Sequence, residues 1–315
     1  MDEHRYIADL APGQEVDGFY LLNDAALKTS SNGKPFLSAK AADRSGSVDL
    51  KVWDYSGPIG GADSGSVVRL RGAVTEFKGS PQLIAAKIRL AEASDRFELD
   101  PLLPVAPIDE GAALDRVREL VSSIEDADYK ALAELLLERN LESFRSIPAA
   151  KSVHHSFLHG LLMHTADMME AADFLAWLYQ RIIDRSLLMA GTLLHDLMKR
   201  EEFSFSRLGL VTDYSVKGEL LGHLVMGAQA VADAARELGT PEEKSVLLQH
   251  MILSHHGDPE FGAAVTPKCA EAELLSCIDK MDSRMEIYTE VLETVPEGGF
   301  SDRVFSLEKR IHRHR

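Results

Sequence analysis

The hydrophobic period of this chain changes once, and the change divides it into two folding problems. From about residue 14 to 92, apolar residues alternate with polar ones in short runs at 16–22, 35–41, 47–53, 67–72 and 82–85. Turn-forming clusters separate the runs: Ser31-Asn32-Gly33, Asp43-Arg44-Ser45-Gly46, the stretch 57–65, and Lys78-Gly79-Ser80. A period of two marks half-buried strands, and roughly five short strands of this kind suit a small closed barrel. From residue 111 onward the apolar spacing becomes helical. It predicts helices over 111–124, 128–140, 155–180, 184–198, 217–237, 241–255 and 269–290, with a short hairpin or loop within 199–216. Between the two regions lie Pro101, Pro104 and Pro107, which remove backbone donors and favour an extended linker or strap.

Charge follows the same division. The chain carries a net charge of −16, but residues 1–93 hold 11 Lys/Arg against 12 Asp/Glu, and residues 94–315 hold 23 against 38. A polyanion would therefore not bind the helical half broadly, and contact there must be confined to a site. At 45% hydrophobic and 27% charged residues the composition is that of a soluble globular protein. The apolar stretch 187–194 stops well short of membrane-spanning length, and the first residues lack a signal-peptide layout. The expected location is cytoplasmic, with no membrane partner. Cys269 and Cys277, eight apart in one predicted helix, are expected as buried free thiols. The run 174–179 (Phe-Leu-Ala-Trp-Leu-Tyr) is expected in the core. A subunit interface, and hence a homo-oligomer, is the alternative.

The histidines are concentrated in the helical half. Nine of the twelve fall between His154 and His256, where an even spread would place about four. His164, the pair His195-Asp196 and Asp279 lie on three predicted helices, so two imidazoles and two carboxylates can meet at one point and hold a divalent ion. His223 and His255 or His256 offer ligands for a second ion, with Asp196 bridging both. His250 reads as core before a contact with substrate or ligand, and Asp282, near the face of Asp279, as a group that orients a ligand or caps a lysine rather than one that binds metal.

Two resemblances extend this reading. The phrase Phe36-Leu37-x-Ala39-x-Ala41-x-Asp43-x-x-Gly46-x-Val48-x-Leu50-x-Val52-Trp53-Asp54 resembles the second and third strands of a nucleic-acid-binding OB-fold. Phe36, Trp53, Tyr55 and Phe77 are then candidates to stack on bases, with Lys40, Lys51, Arg69, Arg71 and Lys78 near the backbone. Each aromatic has a core alternative, Trp53 above all. In the helical half, the order His…His-Asp…Asp resembles the HD-domain phosphohydrolases, and His223 with His255-His256 resembles their two-metal branch. The segments 154–165, 190–199, 219–227 and 250–257 resemble the YhaM family of 3'-5' exoribonucleases, which joins an N-terminal OB-fold to a C-terminal HD domain.

That resemblance implies a multidomain fold: an all-β OB-fold barrel at 1–93, a proline-rich linker at 94–110, and an all-α HD-domain helical bundle at 111–315. By position, it implies His164, His195, Asp196 and Asp279 as ligands of one ion and His223, His255 and His256 as ligands of the other. Asp196 and Lys199 are the expected catalytic residues, Lys199 against a phosphate oxygen. His155 is a substrate-binding candidate, with His154 and His159 able to reach substrate or ligand-orienting carboxylates. Phe36, Trp53, Tyr55 and Lys51 complete the expected substrate contacts. The implied cofactor is a pair of divalent ions, manganese first, with iron, cobalt and nickel as alternatives. No Ser or Cys nucleophile motif is present, so water attacks directly. The expected substrate is single-stranded RNA, with single-stranded DNA beside it. The alternative is a small nucleotide such as a cyclic dinucleotide, and a non-catalytic binding module is a third reading that the full ligand set opposes. Two residues depart from the family pattern: His159 and Met198 stand where glycine or another small residue is common. The basic end 310–315 is expected to fray.

Overall fold

The computed structural model describes residues 4–77, 79–92, 94–99, 101–150, 157–206 and 208–314. His154, His155 and Lys78 lie outside the described residues.

Five strands form the first unit: β1 (Glu15–Thr29), β2 (Pro35–Asp43), β3 (Gly46–Trp53), β4 (Ser66–Phe77) and β5 (Ser80–Leu90). They close in the order β1-β2-β3-β5-β4, with β3 and β5 parallel and the other pairs antiparallel, which is the expected OB-fold barrel. Strand alternation sorts the side chains. Leu37, Ala39 and Ala41 of β2 and Val48, Leu50 and Val52 of β3 enter the core. Phe36, Ser38 and Lys40 then oppose Trp53, Lys51 and Asp49 on the other face. β1 is longer than its apolar run because the register shifts between Asn23 and Ala26, with Asp24 at φ 52°. A bulge of this kind breaks the alternation without ending the strand.

The proline-bearing stretch behaves as a strap. Asp95 receives two hydrogen bonds from Arg89 at 2.6 Å, Phe97 stacks on Phe19, and Leu102 is buried. The chain resolves into two compact units, residues 1–105 with 205–212, and residues 106–204 with 213–315.

The second unit contains α1 (Glu110–Ser122), α2 (Ala127–Ser146), α3 (Gly160–Leu178), α4 (Arg185–Leu194), α5 (Lys199–Glu202), α6 (Val216–Leu238), α7 (Glu242–Ser254) and α8 (Ala270–Thr294). The short strands β6 (Phe203–Phe205) and β7 (Val211–Tyr214) form the hairpin expected between α5 and α6. Side chains of Asp109, Asp126, Asp184 and Ser215 accept backbone N–H groups in the first turns of α1, α2, α4 and α6, which fixes where those helices start. Ser186 to Leu194 of α4 are all buried, as a helix with apolar residues on every side must be. α2, α3, α7 and α8 surround α4, so its C-terminal residues His195 and Asp196 arrive at the centre of the unit.

Three expectations change. α3 begins at Gly160, because His159 adopts a left-handed φ of 63° that a continuous helix cannot pass. A glycine at this position would meet that backbone without strain. The run 174–179 is not core: Trp177 is 63% exposed, and Phe174, Leu178 and Tyr179 are exposed with it. Its apolar period continues that of α3, but only Ala176 of the run is buried. The thiols are free but not buried: Cys269 is partly covered at the start of α8 and Cys277 faces solvent. Among the described residues, no helix is long and apolar enough to cross a membrane.

Candidate metal centre

Each of four histidines commits one ring nitrogen to an acceptor-only partner. Nδ1 of His164 meets the Asp282 carboxylate at 2.6 Å, and Nδ1 of His223 meets Glu202 Oε1 at 2.8 Å. His195 and His255 close α4 and α7, and their Nδ1 atoms face the carbonyls of Thr192 and Ile252 at 2.7 and 2.8 Å. A carboxylate or carbonyl can only accept, so each Nδ1 carries the proton. In the neutral ring each Nε2 then presents its lone pair to the interior, which is how outer partners prepare a metal-binding imidazole.

The inward atoms form two groups joined by Asp196. His164 Nε2 and His195 Nε2 lie 3.3 Å apart, and Asp196 Oδ2 is 3.8 and 3.3 Å from them. Asp279 Oδ1 lies 3.4 Å from His164 Nε2. On the other side, Asp196 Oδ1 is 3.2 Å from His223 Nε2 and 3.6 Å from His255 Nε2. The ligand atoms of His223, His255 and His256 all lie within 4.8 Å of one another, as do those of His164, His195 and Asp196.

The donor set fits a divalent metal. Among the described residues, Asp196 Oδ1, His223 Nε2, His255 Nε2 and His256 Nδ1 are buried with no hydrogen-bond partner. Orphaned polar atoms of this kind are costly in a protein interior, and here all are Lewis bases converging from α4, α6 and the end of α7. A cation relieves all four at once. The titration directions tell the same story. Burial opposes charge on His164, but the Asp279 and Asp282 carboxylates overcome it and raise the ring to about 9. Burial likewise opposes ionisation of Asp196, yet Lys199 and the surrounding imidazoles hold it well below the usual carboxylate range. His256 is driven down to about 3 by burial and by His255 and His223, so it stays a neutral donor.

Of the other sequence candidates, Lys199 is at the centre, its Nζ 2.5 Å from Asp196 Oδ2. His250 is not, because its Nε2 accepts the backbone N–H of Lys268 and holds the following loop against α7. His159 is turned to the Arg145 carbonyl at 2.6 Å. In the barrel unit, Trp53 is 50% exposed and packs on Phe36 with centroids 4.8 Å apart, contrary to the core alternative. Lys51 lies over the Phe36 ring and donates to Ser38. Tyr55 serves the fold, its hydroxyl accepting the Ile59 N–H at 2.9 Å.

Sequence reading missed Glu202. Its Oε1 also accepts the backbone N–H of His223 at 3.1 Å, which is available because Gly222 interrupts α6 at φ 69°, ψ 162°. That conformation is essentially restricted to glycine. Gly218 allows the approach as well, since a Cβ there would lie 2.1 Å from the Glu202 carbonyl oxygen. The pair Glu201-Glu202 looks like a solvated charge run, and the only cue was two glycines within one helical period.

The HD domain profile matches residues 161–284, an interval that contains every member of both ligand groups and Asp279. Over 300 residues the chain is 36% identical to the 3'-5' exoribonuclease YhaM of Shouchella clausii, covering 95% of this chain and 92% of that one. The YhaM of Bacillus subtilis is 35% identical over 300 residues, with 95% and 94% covered. The chain belongs to the YhaM family. The YhaM of Listeria monocytogenes is 35% identical over 306 residues, with 96% of both chains covered, so the YhaM likeness runs through barrel and helical unit alike. Among solved structures, the second OB-fold domain of replication protein A from Methanococcus maripaludis is 16% identical, covering 30% of this chain and 98% of its own at a TM-score of 0.22.

Proposed function

We propose that this protein is a metal-dependent 3'-5' exoribonuclease that shortens single-stranded RNA, and single-stranded DNA beside it, to nucleoside 5'-monophosphates. One observation carries the reading. The YhaM relatives match over about 95% of this chain, and the helical unit of this chain holds a buried set of inward-facing donors arranged on both oxygens of Asp196. Residues 1–93 hold the strand and residues 111–315 carry out hydrolysis, with 94–110 as the connection.

His164, His195, Asp196 and Asp279 would hold one ion, and His223, His255 and His256, with Asp196 shared, a second. Manganese suits this mixture of imidazole and carboxylate, with iron, cobalt and nickel as competitors. Bound divalent ions supply a water acidic enough to be the nucleophile near neutral pH and offset charge on the phosphoryl oxygens. The chain's own residues do the rest. Asp282 and Glu202 keep His164 and His223 in the tautomer that faces inward. Lys199, paired with Asp196 Oδ2, would leave it for a non-bridging phosphate oxygen of the terminal nucleotide. The water oxygen forms the new bond to phosphorus and the bond to the preceding 3'-oxygen breaks, releasing the monophosphate and a new 3'-hydroxyl end. On the barrel, Phe36 and Trp53 offer faces for bases, and Lys51 a charge for the backbone.

The test is incubation of 3'- and 5'-labelled single strands with manganese-loaded protein beside a cyclic dinucleotide. Stepwise shortening from the 3' end, lost in Asp196→Asn, is the expected result. Intact strands beside a hydrolysed cyclic dinucleotide would overturn it.

A further inference from the structure

The basic end of the chain is folded rather than frayed. Phe300 bridges His312 and Val304 bridges Lys309, so the segment doubles back on itself. Leu307 and Ile311 are buried against Ile287 of α8, with Tyr288, Val291 and Leu292 packed around them. Arg313 donates to the carbonyls of Leu292 and Val295 at 3.0 and 2.9 Å and so closes the C-terminal end of α8. This clasp holds its outward side chains in place before any partner arrives, which lowers the ordering cost of binding.

Those side chains are of two kinds. Arg303, Lys309 and Arg310 are exposed cations, and Arg303 has no acidic partner among the described residues. Phe305 is 95% exposed, and Phe300 is exposed beneath the Arg310 guanidinium, 5.3 Å from its ring centroid. Between Phe300 and His314 the net charge is +2, within a half of the chain that carries −15. Exposed cations set among the open ring of Phe305 and the partly covered ring of Phe300, on which Arg310 and His312 pack, match phosphates alternating with bases. An apolar protein surface would instead desolvate the three cations without replacing their water.

We propose that the C-terminal clasp is a contact surface for single-stranded nucleic acid. α8 places it where a strand would pass. The clasp packs on residues Ile287 to Leu292, eight to thirteen positions beyond Asp279 on the same helix. At about 1.5 Å per residue, that is roughly 12–20 Å from the metal centre. This placement rests on the exoribonuclease reading, because it puts the strand's 3' end at Asp196. The clasp grips the nucleotides upstream of the one being removed.

The test compares the full-length, manganese-loaded protein with Arg303→Ala/Lys309→Ala and with Phe305→Ala. Binding of a phosphorothioate-protected single-stranded RNA is followed by fluorescence anisotropy across a salt series, and hydrolysis of a nitrophenyl phosphodiester is followed in parallel. The double variant is expected to bind the strand about fivefold more weakly. Its slope of log affinity against log salt should be shallower by about 1.4, from roughly 0.7 for each lost phosphate contact. Phe305→Ala is expected to weaken binding about fivefold with an unchanged slope, since it removes stacking and no charge. Nitrophenyl diester hydrolysis should be unaffected in both. Unchanged strand affinity and slope overturn the proposal, as does a shift in oligomeric mass with strand affinity intact. Loss of diester hydrolysis together with a lower melting temperature makes the clasp a structural brace and also overturns it. If the unsubstituted protein binds RNA in a clasp-dependent way but never shortens it, the exoribonuclease reading fails and the clasp stands.

Discussion

Glu202 accepts two hydrogen bonds from His223, one from its ring Nδ1 at 2.8 Å and one from its backbone N–H at 3.1 Å. One carboxylate therefore sets both the tautomer and the position of an inward-facing imidazole. On the two-ion reading proposed above, Glu202→Gln is expected to weaken binding of the ion held by His223 by about 10–100-fold and leave the other bound. Elemental analysis and calorimetric metal titration read this directly. Equal loss of both ions would show that Glu202 supports the fold of the whole centre.

Gly222→Ala tests the interruption in α6 that exposes that N–H. A side chain at φ 69°, ψ 162° is expected to cost about 1–3 kcal/mol of stability. Chemical denaturation of the metal-free variant measures the cost, and metal titration should show the same ion weakened as in Glu202→Gln.

Metal binding should release protons. With the ring of His164 raised to about 9 by Asp279 and Asp282 against the cost of burial, metal must displace a proton at pH 7. Apparent metal affinity should therefore rise with pH and level off above about 9, and calorimetry in buffers of different ionisation enthalpy counts the protons. In the metal-free protein the sign is opposite. The raised pKa stabilises the fold fully below the unfolded value of about 6.5, and this contribution disappears as pH rises through about 9. A metal-free stability profile that is flat across this window would contradict the His164 assignment.

Tyr20 gives a similar prediction for the barrel at higher pH. Burial, with the Asp43 carboxylate nearby and Arg5 opposing, pushes the phenol to about 12, and its hydroxyl donates to the Arg5 carbonyl at 2.7 Å. The unfolded chain loses the proton first, at about 10, so barrel stability should fall between pH 10 and 12. Tyr20→Phe should be less stable at neutral pH and lose less across that window.

Trp53 and Tyr55 separate binding from folding within one stretch of the barrel. Trp53→Ala removes an exposed ring and should cost about 1–3 kcal/mol in strand binding with little change in melting temperature. Tyr55→Phe removes the acceptor for the Ile59 N–H and should cost about 1 kcal/mol of stability with strand binding unchanged.

The sequence showed what periodicity and residue type can show. Strict alternation in 47–53 set the faces of β3 and with them the outward position of Lys51, but residue type argued for a core place for Trp53, which the structure instead leaves half exposed. His195-Asp196 at the end of an all-apolar helix was legible because such a helix must be central. Glu202 was not, since its role depends on α6 folding back onto α5, a contact between residues about twenty apart. The clasp was not legible either. Leu307 and Ile311 are spaced too irregularly to suggest that they would pack on α8, and the surrounding charges suggest a solvated end.

Two helices, α4 and α7, run out at the metal centre, each ending one residue before its inward-facing histidine. Their C-terminal poles carry partial negative charge, and Asp196, Asp279, Asp282 and Glu202 add to it. Lys199 and the protonated ring of His164 offset only part of this charge, so a phosphate arriving first would still be repelled. The same field draws in a divalent cation, which then reverses the local sign. Such a centre would impose an order of binding: cation first, strand end second, and no grip on a 3' terminus without the cation.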